Sequence, residues 1–406
     1  MPDGQGAAPG PTSAGVGQML PALIVGQIGL HATMAGIRMA APLQALREGH
    51  SAWSVGVLLA LFAAAPVLQS MHAGRMADRH GYHRPVRIAI GLSLTGALLA
   101  VVSTFLDAAM HFPMLCASAV LVGSGANMGL IVIQRRAGQV ARSNTERMRL
   151  FSWLGIAPAL ANVVGPVTAG FLIDAGGFRA AYSMLLMLPL VTWGCARLIP
   201  REAAATAPTY AAVPRSSWSL LRAPGLKRLL VVNWLMSACW DVHTFAVPIL
   251  GFERGFSAGT IGLIIGSFTL AVSAVRLLIP LWAHRISEIV VLRTAMVGTG
   301  IVFALYPLAQ TPWLMGGCAV LLGLTLGSVQ PMIMTTLHQL TPDGRYGEAI
   351  AMRSVVMNAS STAMPLIFGA AGAALGATVL FWLVGGAVAS GSWVARRLPT
   401  GAPAVP

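Results

Sequence analysis

Charge is scarce in this chain: only 9% of its 406 residues are Asp, Glu, Lys or Arg, whereas 56% are hydrophobic. A water-soluble domain needs charged and polar side chains over most of its surface, so this composition excludes an ordinary soluble protein. Acidic residues are fewer than basic ones, with 12 Asp and Glu against 26 Lys and Arg. Lipid must solvate most of the surface, and the sequence predicts an integral membrane protein.

Cysteine is also rare, and its four copies lie singly inside apolar segments, at Cys116, Cys195, Cys239 and Cys318. They form no CxxC pair and have no His spacing suited to zinc. The sequence contains no phosphate-binding P-loop and no nucleophile elbow. We therefore predict no cofactor, no metal site and no enzymatic activity. Any uphill movement of a solute would use an existing gradient rather than ATP.

Long apolar runs are abundant, and twelve of them approach the ~20 residues that cross ~30 Å of hydrocarbon. The predicted spans are 18–45, 52–74, 86–106, 111–134, 149–173, 179–199, 226–250, 257–281, 288–308, 312–337, 347–374 and 375–397. An even number of spans places both termini on the same side of the membrane.

The basic residues are unevenly distributed over the predicted loops. Of 26 Lys and Arg, 21 lie on or beside the loops of one side, and only Arg47, Arg179 and Arg254 lie on the other. Cytoplasmic loops carry the excess of Lys and Arg in membrane proteins. The net charge of +14 therefore indicates cytoplasmic termini and contact with anionic lipid, and it does not indicate a nucleic-acid partner.

The two halves of the chain resemble each other. An offset of 206 residues aligns Gly56 with Gly262, and an offset of 199 aligns Pro166 with Pro365. Such parallel repeats are typical of transporters built from two equivalent bundles. The predicted organisation is a disordered cytoplasmic tail at 1–17, a six-helix bundle at 18–200, a cytoplasmic linker at 201–225, a second bundle at 226–397 and a tail at 398–406.

A basic loop between the second and third spans, GRMADRHGYHRPV, carries the most specific motif. Its informative residues are Gly74, Asp78, Arg79, Gly81 and Arg84. Their spacing resembles the signature loop between helices 2 and 3 of the major facilitator superfamily. The chain departs from that signature at Tyr82 and His83, where the family usually carries two basic residues.

This resemblance covers residues 18–397 and implies an all-α integral membrane fold of 12 transmembrane helices in two pseudo-symmetric six-helix bundles. It implies a secondary transporter that moves a small organic solute by alternating access. We expect a monomer in the bacterial inner membrane. A carrier-like sensor or scaffold that does not transport is the alternative from another class.

A second resemblance concerns the fifth span, where Gly165, Pro166 and Gly170 resemble the Gly-Pro motif of drug:proton antiporters. Glycine allows close helix packing and proline removes a helix hydrogen bond. The resemblance favours export, with uptake or facilitated passage of an organic anion or another metabolite as the alternative. The Arg that such antiporters carry in helix 4 is absent near Ala119. The sequence therefore does not decide whether transport is coupled to protons.

Polar residues inside the predicted spans mark a candidate cavity. Gln27, His31 and Arg38 share one stripe of the first span, and the 206-residue offset maps them onto Asn233, Ser237 and Thr244 of the seventh. The resemblance adds Asn127 and Gln134 of the fourth span and Gln330 of the tenth. Hydrogen bonding between helices is the alternative role for such side chains.

Charged residues complete the set of candidates. Asp241 is the only acid well inside a predicted span, and the repeat places it near the depth of Arg38, so we expect the two to pair at an outer gate. We also expect Asp78 to contact the start of the eleventh span near Arg353. For Arg276 and Arg353, contact with lipid phosphate is the alternative.

Overall fold

The structure is a computed structural model, and it describes residues 13–140, 144–201, 224–282, 287–341 and 346–398. In these ranges the chain forms ten α-helices, one short 3-10 helix at Tyr306–Leu308 and no strand. The α-helices are α1 Ser13–Arg47, α2 Ala52–His80, α3 His83–Ser103, α4 Ala108–Val140, α5 Asn144–Arg197, α6 Pro224–Glu253, α7 Ala258–Trp282, α8 Glu288–Leu305, α9 Pro312–Leu340 and α10 Tyr346–Arg396.

Two of these helices are broken in the middle. Gly177 in α5 and Gly376 in α10 have φ of +74° and +81°, a left-handed conformation that glycine adopts without steric cost. Unbroken helices of 54 and 51 residues would extend about 80 Å, far beyond ~30 Å of hydrocarbon. The breaks give α5a (144–176), α5b (178–197), α10a (346–375) and α10b (377–396). The resulting twelve helical segments follow the predicted spans in order.

The basic motif is mostly helical, which corrects the prediction of a loop from Gly74 to Val86. α2 continues to His80, and only Gly81 and Tyr82 form the turn before α3 begins at His83. No proline lies between Pro66 and Pro85 to stop the helix earlier. Gly81 ends it, with φ of +66°.

The predicted tails and linker lie largely outside the described residues. α1 begins at Ser13, earlier than the predicted boundary at 18, because no proline interrupts residues 13–17 and the apolar helix extends toward the N-terminus. The described part of the linker is limited to Arg201 and the first residues of α6. The rest of it, residues 202–223, and the final residues 399–406 are not described.

Each half of the chain packs through close contacts between small residues. In the N-half, α1–α5, the Thr33 hydroxyl donates to the Leu185 carbonyl at 3.1 Å, and the Thr192 hydroxyl donates to the Gly26 carbonyl at 2.7 Å. Both bonds join α1 to α5b. In the C-half, α6–α10, Gly300 of α8 lies against Gly385 of α10b. Such contacts are the usual basis of helix association in membranes.

The two halves meet mainly where α2 contacts α10a and where α5a contacts α7. We call the end of the bundle with the Gly81–Tyr82 turn the basic end. The opposite end, with the α1–α2 turn near Gly49 and the α6–α7 turn near Gly255, is the far end. Both of these turns contain a glycine with positive φ, of +83° and +69°.

Candidate functional site: a cavity between the halves

A cavity of about 320 Å³ lies between the two halves. Helices α1, α5a, α6, α7, α9 and α10a supply its walls. Its polar and charged lining residues are Arg38, Asn162, Asn233, Ser237, Asp241, Thr269, Ser273, Arg276, Gln330 and Ser361. Its volume is in the range of sites for small organic ligands.

Asp241 and Arg38 give the cavity wall a carboxylate and a guanidinium from opposite halves. The Ser361 hydroxyl donates to Asp241 Oδ1 at 3.5 Å. The Asp241 and Arg38 charges interact electrostatically, but within the described residues no ion pair joins them within 4 Å. The predicted pair therefore shares one cavity without direct contact in this conformation.

Two aromatic rings, of Trp240 and Phe268, lie at the deep part of the cavity. The Trp240 ring meets the Phe268 ring edge-on, with 4.7 Å between centroids. A smaller hollow of about 40 Å³ continues past Trp240 toward the far end, lined by Thr244 and Pro166 among others. The apolar residues of the main cavity include Met236 and Leu326. The cavity thus combines a polar wall with a surface that suits an apolar ring.

Two equivalent contacts close the far end. Gly262 of α7 lies against the Pro166 carbonyl of α5a, and Gly56 of α2 lies against the Pro365 carbonyl of α10a. At either glycine, a Cβ atom would overlap the backbone of the other half. Gly170 makes a similar approach to the Ala258 backbone. Only glycine allows helices from the two halves to come this close.

Asp174 adds a polar contact to the same interface. Its Oδ1 accepts a hydrogen bond from the Ala258 N–H at 2.9 Å, and its Oδ2 accepts one from the Gly259 N–H at 2.7 Å. These N–H groups begin α7 and have no acceptor within their own helix. A carboxylate is favoured there because the N-terminus of a helix carries partial positive charge. Asp174 of the N-half therefore holds the start of α7 in the C-half.

The same helices lie apart at the basic end. Gly155, eleven residues before Pro166 on α5a, has no described residue of another helix within 4 Å of the position that a Cβ would take, and it lines the cavity. Gly74 of α2 has equally open surroundings. The cavity therefore opens toward the basic end and is closed toward the far end.

A family comparison agrees with this architecture. A sequence model of the Major Facilitator Superfamily matches residues 23–248 and again residues 229–405. The chain belongs to this superfamily. It is a transport protein rather than an enzyme, embedded in the membrane through multiple spans, with a small molecule as its substrate. Among the described residues, no group of three His, Cys, Asp or Glu side chains could hold a metal ion.

Relatives of known activity include exporters. The chain is 25% identical to the enterobactin exporter EntS of Salmonella typhimurium over 351 residues, which cover 83% of this chain and 80% of that protein. It is 34% identical to the class B tetracycline resistance protein of Escherichia coli over 116 residues, 29% of this chain and 27% of that protein.

Solved structures of transporters show the same fold. A bacterial homologue of the iron transporter ferroportin, in an inward-facing state, superposes with a TM-score of 0.73 at 18% identity, covering 94% of this chain and 98% of that one. The nucleoside transporter NupG superposes with a TM-score of 0.71 at 11% identity, covering 94% and 99%. At these identities the likeness concerns the fold.

Six of the ten predicted cavity residues of this facilitator lie at the cavity. Arg38, Asn233, Ser237, Asp241 and Gln330 line the main cavity, and Thr244 lines the smaller hollow. Five of them lie on α1 or α6, which the repeat relates to each other. Of the three pairs that the repeat relates, only Arg38 and Thr244 both reach a cavity, whereas Asn233 and Ser237 line the main cavity and their counterparts on α1 do not.

The structure places the other four predicted cavity residues elsewhere. Gln27 is buried beside Gly129 of α4, and His31 is partly buried on the same stripe of α1 but outside the lining. The Asn127 amide donates to the Ser70 hydroxyl at 3.0 Å and joins α4 to α2. Gln134 is exposed outside the lining. A common stripe defines the direction of a side chain, but the neighbouring helices decide which part of the stripe reaches the cavity.

Sequence reasoning missed several lining residues. Asn162 and Ser361 were detectable, because the 199-residue offset that aligns Pro166 with Pro365 also aligns these two. Arg276 was weighed as a lipid contact, whereas it lines the cavity one helical turn from Ser273.

The predicted gating residues have mixed outcomes. Pro166 and Gly170 lie in the contact between the halves, whereas Gly165 packs against Ala32 and Gly36 inside the N-half. Arg79 and Arg84 line an exposed hollow at the basic end. The side chain of Asp78 lies outside the described residues, so its contact with the start of α10a remains a prediction.

Two other residues of the basic end have a defined role. Arg353 is buried, and its Nε donates to Asn233 Oδ1 at 3.1 Å inside the C-half. Tyr82, at a position where the superfamily usually has a basic residue, is buried with its ring edge-on to His83. Burial raises the pKa of Tyr82, so its side chain stays neutral and anchors the turn by packing.

Proposed function

We propose that this facilitator is a secondary exporter of a small organic solute in the bacterial inner membrane, with the structure representing its inward-facing state. The positive-inside rule assigns the basic end and both termini to the cytoplasm. The cavity then opens to the cytoplasm and is closed toward the periplasm. We further propose that the protein acts as a monomer, since one chain supplies both halves of the cavity.

One observation carries the proposal: a cavity on the boundary of two equivalent halves is closed at one end by contacts between those halves and open at the other. Rocking of one half against the other would break the far-end contacts and close the basic end. That motion moves a solute across the membrane without opening both ends together. The exporters among the relatives support the outward direction.

Asp241 is the candidate proton carrier. It is the only carboxylate among the described residues that line the cavity, and intramembrane carboxylates are typical of proton relays. A proton arriving from the periplasm would neutralise it in the outward-facing state and leave toward the cytoplasm in the inward-facing state. An uncoupled carrier would not need this exchange.

Accessibility of Ser237, in the cavity wall, tests the proposal. In a background with the four native cysteines replaced by Ser or Ala, Ser237→Cys in right-side-out and inside-out vesicles is exposed to a membrane-impermeant maleimide. A transporter should be labelled from both sides, with faster labelling from the cytoplasm. Labelling from one side only, with or without a pH gradient, would support the sensor or scaffold instead.

The direction and the coupling need a second measurement. Inside-out vesicles that are acidified by respiration are given radiolabelled benzoate, leucine, glucose or tetraphenylphosphonium. Proton-coupled export predicts accumulation of at least one probe above vesicles without the protein, and a protonophore should abolish it. A probe that only equilibrates across the membrane, with or without the gradient, would indicate an uncoupled carrier that does not use the proton gradient.

A further inference from the structure

The charges that line the cavity do not balance. Two guanidinium groups, of Arg38 and Arg276, face one carboxylate, of Asp241. Asp241 interacts electrostatically with Arg38. Arg276 has no carboxylate within 4 Å among the described residues, where the ion pairs found all involve Glu48. One positive charge in the cavity therefore lacks a counterion from the described protein.

The unbalanced charge of Arg276 lies near the open end of the cavity. Arg276 follows Thr269 by seven residues on α7, and both line the cavity with Ser273 between them. Seven residues correspond to about 10 Å along a helix. Thr269 borders the deep hollow beyond Trp240, so Arg276 lies nearer the open basic end. The cavity thus has the Arg276 guanidinium near its mouth, and at its base it has the Trp240 ring beside the Arg38 and Asp241 charges.

We infer that the substrate is an amphipathic organic anion, whose carboxylate or phosphate binds Arg276 while its apolar ring lies against Trp240. The inference rests on the proposed transport function and names the substrate class. A guanidinium binds such groups through two parallel hydrogen bonds. An anion would also supply the missing counterion, and Met236 and Leu326 extend the apolar surface around the ring.

Binding to the full chain in detergent tests the class directly, with four probes that share one ring system: 2-naphthoate, 2-naphthyl phosphate, 2-naphthamide and 2-naphthylmethylammonium. A ligand that binds the folded state raises the unfolding temperature, by roughly 2–5 °C near saturation. The inference predicts this shift for the carboxylate, the phosphate or both, and little shift for the amide and the ammonium. The carboxylate and phosphate arms separate the two possible anionic groups.

Substitution of Arg276 locates the binding. Arg276→Gln should remove the shift caused by the anionic probe, and Arg276→Lys, which keeps the charge but not the two parallel hydrogen bonds, should keep part of it. The matched control is Arg293→Gln, because Arg293 lines a hollow on the outer face of α8; it should leave the shift unchanged. The ranking of the four probes on the parent protein needs no variant, so it decides the class even if Arg276→Gln does not fold.

Four results would overturn the inference. The amide could stabilise the protein as much as the naphthoate, the ammonium could stabilise it more, or Arg276→Gln could keep the full response. An unfolding-temperature shift with phosphatidylglycerol that Arg276→Gln removes, without a shift for the naphthyl anions, would make Arg276 a lipid contact.

The binding result is separate from the transport result. Anion binding together with one-sided labelling of Ser237→Cys would reject the transport proposal alone. Two-sided labelling together with cation binding would reject the anionic substrate alone.

Discussion

The two ends of α5a differ in what they contact, although they belong to one helix. Near the far end, Pro166 and Gly170 meet the backbone of α7 directly, and Asp174 accepts two hydrogen bonds from its first N–H groups. Near the basic end, Gly155 borders open space. α2 shows the same difference between Gly56 and Gly74. Each half has extensive internal contacts, so we expect it to move as a unit, with a few contacts between the halves distinguishing the closed end from the open end.

The closed end is not symmetric. Gly56 with Pro365 and Gly262 with Pro166 are equivalent contacts in the repeat, but Asp174 has no acidic counterpart, because the 199-residue offset maps it onto Ala373. Both helices begin with an equivalent serine cap, Ser51 for α2 and Ser257 for α7, so the Asp174 contact is an addition that α7 has and α2 lacks. Backbone contact is therefore present at both interfaces, whereas among the described residues of the far end a side-chain hydrogen bond between the halves joins only α5a to α7. The predictions below separate these two contributions.

The largest effect is expected from filling a far-end glycine. Gly262→Ala places a methyl group on the Pro166 carbonyl, and such overpacking costs about 1–3 kcal/mol, which shifts the equilibrium away from the closed far end by roughly 5- to 150-fold. Val167, which lies against Gly266 in this interface, reports the change: Val167→Cys should become more reactive from the periplasm. Gly155→Ala is the control. Equal rates in the Gly262 variant and its parent would contradict the backbone contact.

Loss of the polar contact should have a smaller effect. Asp174→Ala removes two charge-assisted hydrogen bonds at the start of α7, a loss of about 1–2 kcal/mol that should favour the open far end by roughly 5- to 30-fold. Asp174→Asn should lie in between, because its amide oxygen still accepts one bond. Asp107, an exposed acid of the far end, provides the control in Asp107→Ala. If Asp174→Ala and the control Asp107→Ala gave the same labelling rate of Val167→Cys, Asp174 would have no special role in closing the far end.

The cavity charges should show a moderate coupling. Without a direct ion pair in this conformation, Arg38→Ala and Asp241→Ala should be non-additive in unfolding free energy by about 0.5–1.5 kcal/mol. A larger value would indicate direct pairing as the sequence predicts, and simple additivity would exclude interaction. If Asp241 carries the proton, Asp241→Asn should retain exchange of solute and lose accumulation driven by a pH gradient. Unchanged accumulation would remove the proton role.

A contact inside one half should leave the ends unchanged. Asn233→Ala removes the acceptor for the Arg353 Nε, and the loss of a buried hydrogen bond to a charged group should lower stability by about 1.5–3 kcal/mol. Thermal unfolding should detect this loss, while periplasmic labelling of Val167→Cys should stay at the parent rate. A change in labelling as large as that of Asp174→Ala would mean that the halves do not move as rigid bodies.

The sequence predicted the helices well because their determinant is local. Each apolar run specifies a span, and Gly177 and Gly376 mark the breaks that separate pairs of spans. The basic motif was less well predicted, because its charges suggested a loop while the absence of proline allowed α2 to continue to His80. Apolar length and helix continuity are different properties, and only the first depends on hydropathy.

The site was only partly predictable because its determinants are distant in sequence. Symmetry identified Asn233 and Ser237 from the stripe of α1, and it could have identified Asn162 with Ser361. It could not identify Asp174, whose partners Ala258 and Gly259 lie 84 and 85 residues away and whose counterpart is Ala373. Gln27 has the right direction on its helix but packs against α4, which a helical stripe alone cannot reveal.

The most direct measurement is of distances between spin labels at both ends in one preparation. One pair of labels replaces Ser51 and Ser257 at the far end, and a second pair replaces His80 and Ser287 at the basic end; all four positions are exposed. Alternating access predicts two populations. In the first, the far-end distance is short and the basic-end distance is long; in the second, the far-end distance is long and the basic-end distance is short. Gly262→Ala should enrich the second population. A single population at both ends, or distances that lengthen together, would contradict the account.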